Sequence, residues 1–292
     1  MFYDLNLPYR AQHDLVNQDD LRTRVDMLIK FGYQVVAYNH VVTGKVSSNE
    51  TNVIDISDKK KTNIEQLTRL TYILEDISQN HGLTPTNNAL ATYDILAVRP
   101  TNEKTFQNAC NTLEIDIISL EMGSRLPFYL KHSIVGLAIE RGIFFEISYA
   151  PAIRDSTSRR YLISNAQNLV RVSRGKNIII TSEAQRAMEL RGPYDIVNLG
   201  TIMGMNQAIA KECITTNCRS VVIHAATRRN THKAVVSFDP ITSLKSNELW
   251  KVGKDKKSLP TGKSKKAKRM RPNTDDDDED ESESSQLQNM DM

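Results

Sequence analysis

Side chains that could perform chemistry directly follow several short apolar runs, where a parallel barrel gathers its functional groups. They are Asn6, Asn39, His40, Glu75, Asp76, Arg99, Glu121, Ser148, Tyr149, Ser182 and Glu183. A metal-dependent hydrolase needs several histidines and carboxylates that converge on one or more ions. Only one of the six histidines, His40, stands at such a position. Carboxylates without imidazoles would form at best a loose oxygen site suited to Mg²⁺.

This thin set predicts no catalytic residues and no metal ligands on the chain. The sequence contains no Gly-x-Ser-x-Gly elbow, no Walker loop and no His-Glu-x-x-His motif. The three cysteines, Cys110, Cys213 and Cys218, lack the spacing of a zinc site and are expected to be reduced thiols. The alternative is a metal-dependent phosphoesterase with a degraded site. Its residues would be His40, Glu75, Asp76, Glu121 and Glu183.

A second group of candidates is basic and stands beside aromatic or turn residues. Arginine binds phosphate bidentately and stacks on exposed bases, and neighbouring tyrosine and phenylalanine rings offer platforms for unpaired bases. These clusters favour a surface for a polyanion over ordinary solvated arginines, although any single arginine fits either interpretation. We predict RNA contacts for Arg69, Arg99, Arg125, Lys131, Arg154, Arg159, Arg160, Lys176 and Arg191.

Seven short apolar runs, several of them nearly continuous Val, Ile and Leu, are typical of parallel strands buried on both faces. They span Phe2–Leu7, Gln34–Tyr38, Leu67–Leu74, Tyr93–Val98, Ile115–Leu120, Ile143–Ser148 and Asn177–Thr181. Helical patterns separate them, one ending at Gly32 after a cap at Asp19 or Asp20, and another over 156–174.

This alternation predicts an α/β fold, a TIM-like parallel (βα) barrel of about seven strands, with an open doubly wound sheet as the alternative. The even spacing and the absence of a Gly-rich first turn favour the barrel. Residues 220–224 could form an eighth strand, but Thr216 or Asn217 could cap a helix through them, and we favour the helix. We predict a barrel over 1–224, with a polar loop at 43–63, and an extension over 225–250.

The last 42 residues, 251–292, are a basic run followed by an acidic run. Ten Lys and Arg precede nine Asp and Glu, with almost no apolar residues, so we predict a disordered tail. The spacing of its cations is that of a two-part nuclear import signal. These cations are Lys256, Lys257, Lys263, Lys265, Lys266, Lys268 and Arg269. The sequence shows neither a secretory signal nor a membrane span.

Several stretches of the chain resemble one known family, the thirty-kilodalton protein subunit shared by ribonuclease P and ribonuclease MRP. The stretches are FYDLNLP at 2–8, GYQVVAYNH at 32–40, LTRLT at 67–71, YDILAV at 93–98, RLPFYLK at 125–131, YAPAIRDSTSRRYLISNAQNL at 149–169, GKNIIITS at 175–182, RGPYDIVNLG at 191–200 and TTNCRSVVIH at 215–224. They follow in order across most of the predicted barrel, and 149–200 is the most specific part.

The resemblance implies a barrel related to the polymerase-and-histidinol-phosphatase metal hydrolases. Those enzymes open with Asp-Leu-His-x-His on the first strand, whereas this chain has Asp4-Leu5-Asn6-Leu7-Pro8. Both motif histidines are absent, so the resemblance implies an enzyme scaffold that has lost its metal site.

The function implied by the resemblance is a non-catalytic subunit that binds and stabilises the catalytic RNA. Such particles cleave precursor tRNA at its 5′ end and process precursor rRNA, with Mg²⁺ held by the RNA and no cofactor on this chain. The implied partners are the ribonuclease P and MRP RNAs, a small α/β protein subunit and other particle proteins, in the nucleus and nucleolus. Residues 126–129 could form a protein contact or a buried helix start. A nuclear scaffold that binds only protein is a third possibility.

Overall fold

Seven parallel strands form one sheet in the order in which they occur along the chain. The computed structural model describes residues 1–9, 15–44, 52–54, 64–78, 83, 87–232 and 236–237. The strands are β1 (Tyr3–Pro8), β2 (Val35–Thr43), β3 (Glu65–Leu74), β4 (Ile95–Pro100), β5 (Ile117–Ser119), β6 (Phe144–Ser148) and β7 (Ile178–Thr181). All seven predicted strands are confirmed. Each neighbouring pair is parallel, and a register shift in β1 lies between Asp4 and Leu7.

Helices lie in the crossovers, apart from the partly described one between β2 and β3, and pack their apolar faces on the outside of the sheet. They are α1 (Leu15–Lys30), α2 (Asn88–Ala91), α3 (Glu103–Asn111), α4 (His132–Glu140), α5 (Ala150–Arg154), α6 (Ser156–Ser173), α7 (Pro193–Ile202), α8 (Gln207–Glu212) and α9 (Thr216–Asn230), with a 3-10 helix at Ala187–Glu189. The predicted end of α1 at Gly32 is confirmed by its φ of 85°. The predicted cap at Asp19 or Asp20 is wrong. The helix begins at Leu15, and Asp20 instead pairs with Arg24 one turn later.

The predicted helix over 156–174 matches α6 closely. Asp155 caps its first turn, because the carboxylate accepts a hydrogen bond from the backbone N–H of Ser158 at 2.8 Å. At its other end Arg174 adopts a left-handed conformation with φ 56°, followed by Gly175 with φ 74°. Gly175 therefore ends the helix together with the residue before it.

Backbone contacts between β7 and β1 bring the sheet close to a closed barrel. The backbone N–H of Glu183 donates to the carbonyl of Asn6 at 2.9 Å beside the carboxyl ends of the strands. Near the opposite ends, the carbonyls of Cys213 and Ile214 accept from Ile180 and Tyr3 at 3.3 and 3.1 Å. The segment before α9 thus occupies part of the gap in which an eighth strand could lie. Residues 220–224 lie within α9, so the helical interpretation is confirmed.

Helix α9 covers the end of the barrel from which the strands start. Its buried residues Cys218, Val221 and Ala225 share an apolar cluster with residues of the barrel interior, among them Leu5 and Ile117. The helix continues to Asn230, past the predicted end of the barrel at residue 224. All three cysteines are free thiols and buried, and burial raises their pKa values.

Several predictions fall on parts of the chain outside the described residues. These include the tail over 251–292 with its import signal, and most of the extension over 225–250 beyond α9 and a short antiparallel pair at Thr231–His232 and Val236–Ser237. The predicted loop at 43–63 is described only in part. Its first residue, Thr43, belongs to β2, and Ile54 is buried in the core. Among the described residues, no helix is both long and apolar enough to cross a bilayer.

Candidate functional site

An ion pair between Arg69 and Glu146 crosses the interior of the barrel. Arg69 lies on β3 and Glu146 on β6, three strands away, so their contact must pass through the centre. The guanidinium donates two parallel hydrogen bonds, Nη1 to Oε1 at 2.5 Å and Nη2 to Oε2 at 2.6 Å. Both side chains are fully buried. This bidentate geometry is the strongest pairing available to an arginine and a carboxylate.

A polar network surrounds the ion pair and occupies its remaining hydrogen-bonding positions. Asn6 donates to Oε1 of Glu146 at 3.2 Å, and the hydroxyl of Thr181 donates to the same atom at 2.8 Å. Asn39 donates to the side-chain oxygen of Asn6 at 2.7 Å. Arg69 itself donates from Nη1 to the carbonyl of Leu5 at 2.8 Å and from Nε to Thr71 at 3.1 Å. Five strands therefore contribute polar groups to one connected cluster.

The charge of Arg69 determines the protonation of its partner. Burial alone would raise the pKa of Glu146, but the Arg69 guanidinium and the hydrogen bonds from Arg69, Ser119 and Thr181 hold that pKa well below its ordinary value. Asp4 on β1 shows the opposite behaviour. Burial raises its pKa to about 6, even though its carboxylate accepts hydrogen bonds from Ser182 and Asn6.

A second arginine, Arg99 on β4, forms another polar layer closer to the carboxyl ends of the strands. Its Nη2 donates to Glu183 at 2.9 Å and to Ser119 at 3.1 Å, and Nη1 lies 3.5 Å from Glu121. Glu183 adopts a left-handed backbone conformation with φ 51°. Left-handed backbone in a residue other than glycine is typical of functional sites, and here the N–H of Glu183 contacts Asn6 across the gap in the sheet.

The residues in the barrel interior do not fit a metal ion. The guanidinium of Arg69 occupies the centre, and a positive charge there would repel a cation. Two carboxylates of these polar layers, Glu146 and Glu183, are each paired with an arginine. Within the part of the chain that the structure describes, no three His, Cys, Asp or Glu side chains cluster as metal ligands would.

The alternative phosphoesterase residues do not come together. His40 on β2 contacts the hydroxyl of Tyr93 through Nδ1 at 3.1 Å, and the two rings stack with centroids 6.3 Å apart. Glu75 and Asp76 follow β3 and are exposed. Only Glu121 and Glu183 approach each other, through their shared partner Arg99. The geometry thus gives this alternative no convergent site.

The predicted RNA-contacting residues divide into buried and surface groups. The predicted RNA contact of Arg69 is wrong, because its guanidinium is fully buried and pairs with Glu146, so no phosphate can reach it. Arg99 exposes 13% of its side chain and pairs with Glu121 and Glu183. From its sequence, the LTRLT stretch at 67–71 predicts a strand on which the Arg69 side chain is exposed to solvent. Nothing in that local pattern indicates a partner located 77 residues away.

The other predicted cations lie nearer the surface. Lys131 pairs with Glu103 at 2.8 Å, and Arg154 pairs with Glu189 at 3.1 Å. Arg191 donates to the carbonyls of Met188 and Leu190, both at 2.8 Å. The exposed residues Arg125, Arg159, Arg160 and Lys176 complete the set, and Arg159 also donates from Nε to the carbonyl of Ala152 at 2.8 Å. RNA contact by these surface residues remains a prediction.

Two interior carboxylates were absent from the predicted site residues. Glu146 stands in the middle of an apolar strand rather than at its end, and Asp116 directly precedes β5. Asp116 is fully buried and accepts hydrogen bonds from Arg228, His224 and the backbone of Leu96. A single acidic residue inside an apolar run was the available signal, since such a residue is rarely buried without a partner.

Residues 126–129 lie just before α4 and are buried in part. Phe128 is buried and stacks on Phe106 with ring centroids 4.8 Å apart, as a helix start packed on the barrel would be. Tyr129 exposes 81% of its surface, and Pro127 is also exposed. A protein contact through the exposed residues of this segment stays a prediction.

A family model and named relatives match nearly the whole barrel. The model described as RNase P subunit p30 matches residues 1–230. The ribonuclease P protein subunit p30 of Mus musculus is 40% identical over 275 residues, which cover 91% of this chain and 98% of the mouse protein. The probable ribonuclease P protein subunit 3 of Schizosaccharomyces pombe is 39% identical, covering 81% of this chain and 99% of that protein. The ribonuclease P/MRP protein subunit RPP1 of Saccharomyces cerevisiae is 28% identical over 81% of this chain and 84% of its own length.

The fold also matches a solved structure. One chain in a cryo-EM structure of archaeal ribonuclease P with mature tRNA aligns with a TM-score of 0.58 and 13% sequence identity. The alignment covers 82% of this chain and 98% of that chain. At this low identity the likeness is one of fold, and it agrees with the TIM-like barrel described above.

Proposed function

We propose a function that proceeds from one fact: the chain belongs to the RNase P subunit p30 family. The chain is a protein subunit of the ribonuclease P ribonucleoprotein. Its task is to bind and stabilise the RNA of the particle so that precursor tRNA is cleaved at its 5′ end. Because a relative is named as a subunit of both ribonuclease P and ribonuclease MRP, we extend the proposal to MRP and precursor rRNA.

The observation that carries a non-catalytic role is the Arg69–Glu146 pair. In a metal-dependent hydrolase of this fold, polar side chains from several strands converge on an ion and an activated water. Here the converging charged side chains, Arg69 and Glu146, pair with each other instead. We therefore assign catalysis to the particle and not to this chain, with Mg²⁺ held by the RNA and no cofactor held by the protein.

The surface cations provide a second role, contact with the RNA backbone. Each lysine or arginine that meets a phosphate releases a condensed counterion, so affinity should fall steeply as salt is added. Arg125, Arg159, Arg160 and Lys176 are exposed and suited to this contact. The protein partners we expect are a small α/β subunit and other particle proteins, in the nucleus and nucleolus.

Sequencing of the RNA that co-purifies with the tagged full-length chain from nuclei tests this proposal. We expect strong enrichment of the ribonuclease P and MRP RNAs over an untagged control. The purified chain alone should leave precursor tRNA intact, whereas the particle isolated through its tag should cleave it. The proposal fails if no defined RNA is enriched. It also fails if the chain alone cleaves phosphodiesters and loses that activity in the His40→Ala variant.

A further inference from the structure

Helix α6 and the strand that follows it contain no acidic residue. From residue 156 to residue 182 the chain has five basic side chains and no aspartate or glutamate. The only carboxylate at the start of the helix, that of Asp155, is used as its N-cap. The whole chain, by contrast, has 38 basic and 35 acidic residues.

Four exposed residues of α6 form a stripe along one face, and Ser156, Thr157, Arg159 and Tyr161 are exposed beside the N-terminal end of that stripe. Arg160, Ser164, Gln167 and Arg171 are all exposed, and their spacing of four, three and four residues places them on the same side of a helix. The opposite face is buried through Leu162, Ala166, Leu169 and Ser173. At 1.5 Å per residue, the two arginines stand roughly 16 Å apart along the axis. Arg174 and Lys176 extend the positive charge beyond the end of the helix.

The cations of this stripe are available to a partner. Within the described residues, neither Arg160 nor Arg171 forms an ion pair. In the part of the chain that the structure describes, the Arg171 side chain donates only to Asn168 of its own helix, at 3.0 Å. Two hydrogen bonds fix α6 to its neighbours. Asn165 donates to the carbonyl of Ser124 at 2.8 Å, and the Gln167 amide nitrogen donates to the carbonyl of Ile202 at 3.2 Å, which leaves the Gln167 amide oxygen for a partner.

The order of chemical groups along the stripe matches the backbone of an RNA duplex. Cations stand at both ends, and neutral hydrogen-bonding side chains stand between them. The wide, shallow minor groove of A-form RNA presents 2′-hydroxyls between two rows of phosphates, and proteins recognise it largely by shape. Single-stranded RNA would instead call for a row of aromatic platforms. Tyr161 is the one aromatic residue of α6. It is exposed beside Arg160, and a single ring does not make such a row.

We propose that this face of α6 binds double-stranded RNA across its minor groove. Arg160 and Arg171 contact phosphates of opposite strands, and Ser164 and Gln167 face the 2′-hydroxyls between them. The inference rests on the proposed function, because it takes RNA as the partner of the chain. It adds which form of RNA is bound and which element binds it.

Binding assays on the full-length chain with defined probes test the inference. The probes are an RNA duplex of about 16 base pairs, a length that spans two successive minor grooves, a DNA duplex of the same sequence and a single strand of the same RNA. We expect the Arg160→Gln/Arg171→Gln variant to bind the RNA duplex roughly tenfold more weakly or worse. The slope of log affinity against log salt should decrease by roughly 0.9 for each phosphate that the variant no longer neutralises.

The matched control is Arg22→Gln/Lys30→Gln on α1, which removes two exposed cations from a different helix. It should retain wild-type affinity and salt slope, and thermal unfolding should show that both variants remain folded. Equal losses in the two variants, an unchanged slope in the α6 variant, or equal losses for duplex and single strand would each overturn the inference. Wild-type binding of DNA and RNA duplexes with equal affinity would also overturn it. Co-purification of the particle RNA can succeed in all these cases, so a failure here is distinct from a failure of the proposed function.

Discussion

At the scale of single residues, Arg69 and Glu146 are a pair whose members depend on each other. Taking two charges out of water is costly, and their attraction offsets that cost only with good geometry and satisfied hydrogen bonds. The Arg69–Glu146 pair meets both conditions. Its two hydrogen bonds are parallel, Asn6 and Thr181 also donate to Glu146, and Thr71 accepts from Arg69. Removal of one partner should therefore be much worse than removal of both.

Glu146→Gln should lower the free energy of unfolding by about 3–5 kcal/mol, because it leaves the guanidinium of Arg69 buried without a counter-charge. Arg69→Met/Glu146→Gln should recover part of this loss, since neither ion is then left buried alone. Urea unfolding at neutral pH measures both variants and, to complete the cycle, Arg69→Met alone. If the double variant is less stable than the single variant by the full cost of Arg69→Met, the two residues are not energetically coupled and the interpretation is wrong.

The buried carboxyl of Asp4 predicts that the stability of the folded protein decreases as the pH rises. Its pKa is about 6 in the folded protein against an ordinary value of 3.8, so ionisation disfavours the folded state. This cost is absent below pH 3.8 and fully present above pH 6. Asp4→Asn keeps the oxygen that accepts from Ser182 and Asn6, and it cannot ionise. Its stability relative to wild type should therefore grow by up to about 3 kcal/mol between pH 4 and pH 7. Urea unfolding at the two pH values checks this, and an unchanged difference would contradict it.

At the scale of elements, the sequence predicts what depends on neighbours in the chain. The seven strands follow from runs of apolar residues, and α6 follows from its apolar stripe and from Gly175. The interior contacts depend on register between distant strands, which a single sequence does not contain. Asn6 lies at the register shift of β1 and donates to Glu146, 140 residues later. No pattern of nearby residues predicts this shift or this contact. For the same reason the sequence identified Arg69 as a cation and could not identify its partner.

The packing of α7 on α8 gives a prediction for an element interface. A Cβ on Gly200 of α7 would lie 2.7 Å from the Cβ of Ala210 on α8, and Ala210 is fully buried. Gly200→Ala should therefore force the two helices apart and cost about 1–3 kcal/mol. Gly136→Ala on α4 is the control. A Cβ there meets nothing within 4 Å, and alanine is the better helix former, so a gain of up to about 1 kcal/mol is expected. Thermal unfolding measures both, and equal effects of the two substitutions would refute the close approach.

At the scale of the whole barrel, the two ends have different chemistry. The Arg69–Glu146 pair crosses the middle of the barrel, and the Arg99 layer lies closer to the carboxyl ends of the strands. Apolar residues fill the other end, and α9 covers them. Polar contacts hold helix α9 there besides its apolar face. Asp116 accepts from Arg228 and His224, Asp94 accepts from Arg229, and Asn217 donates to the carbonyl of Ile178. The C-terminal helix is thus a structural part of the barrel.

Asp116 links α9 to the barrel most directly. Its carboxylate receives Arg228 Nη2 at 3.0 Å, His224 Nδ1 at 2.8 Å and the backbone N–H of Leu96 at 2.9 Å. Asp116→Asn removes the negative charge with little change of side-chain shape. Arg228 then loses its counter-ion although only 14% of its side chain is exposed to water. We expect the amides of α9 to exchange hydrogen through local opening that is easier by about 2 kcal/mol.

Hydrogen exchange followed by mass spectrometry on the full-length chain measures this effect. Peptides from 216–230 should exchange faster in Asp116→Asn, while peptides from β6 and β7 change less, because the arginine–carboxylate layers do not involve Asp116. Asp26→Asn, the same substitution at an exposed position on α1, should leave α9 unchanged. Uniformly faster exchange across the barrel would mean that α9 and the strands open as one unit, and that Asp116 stabilises the whole fold instead of anchoring one helix.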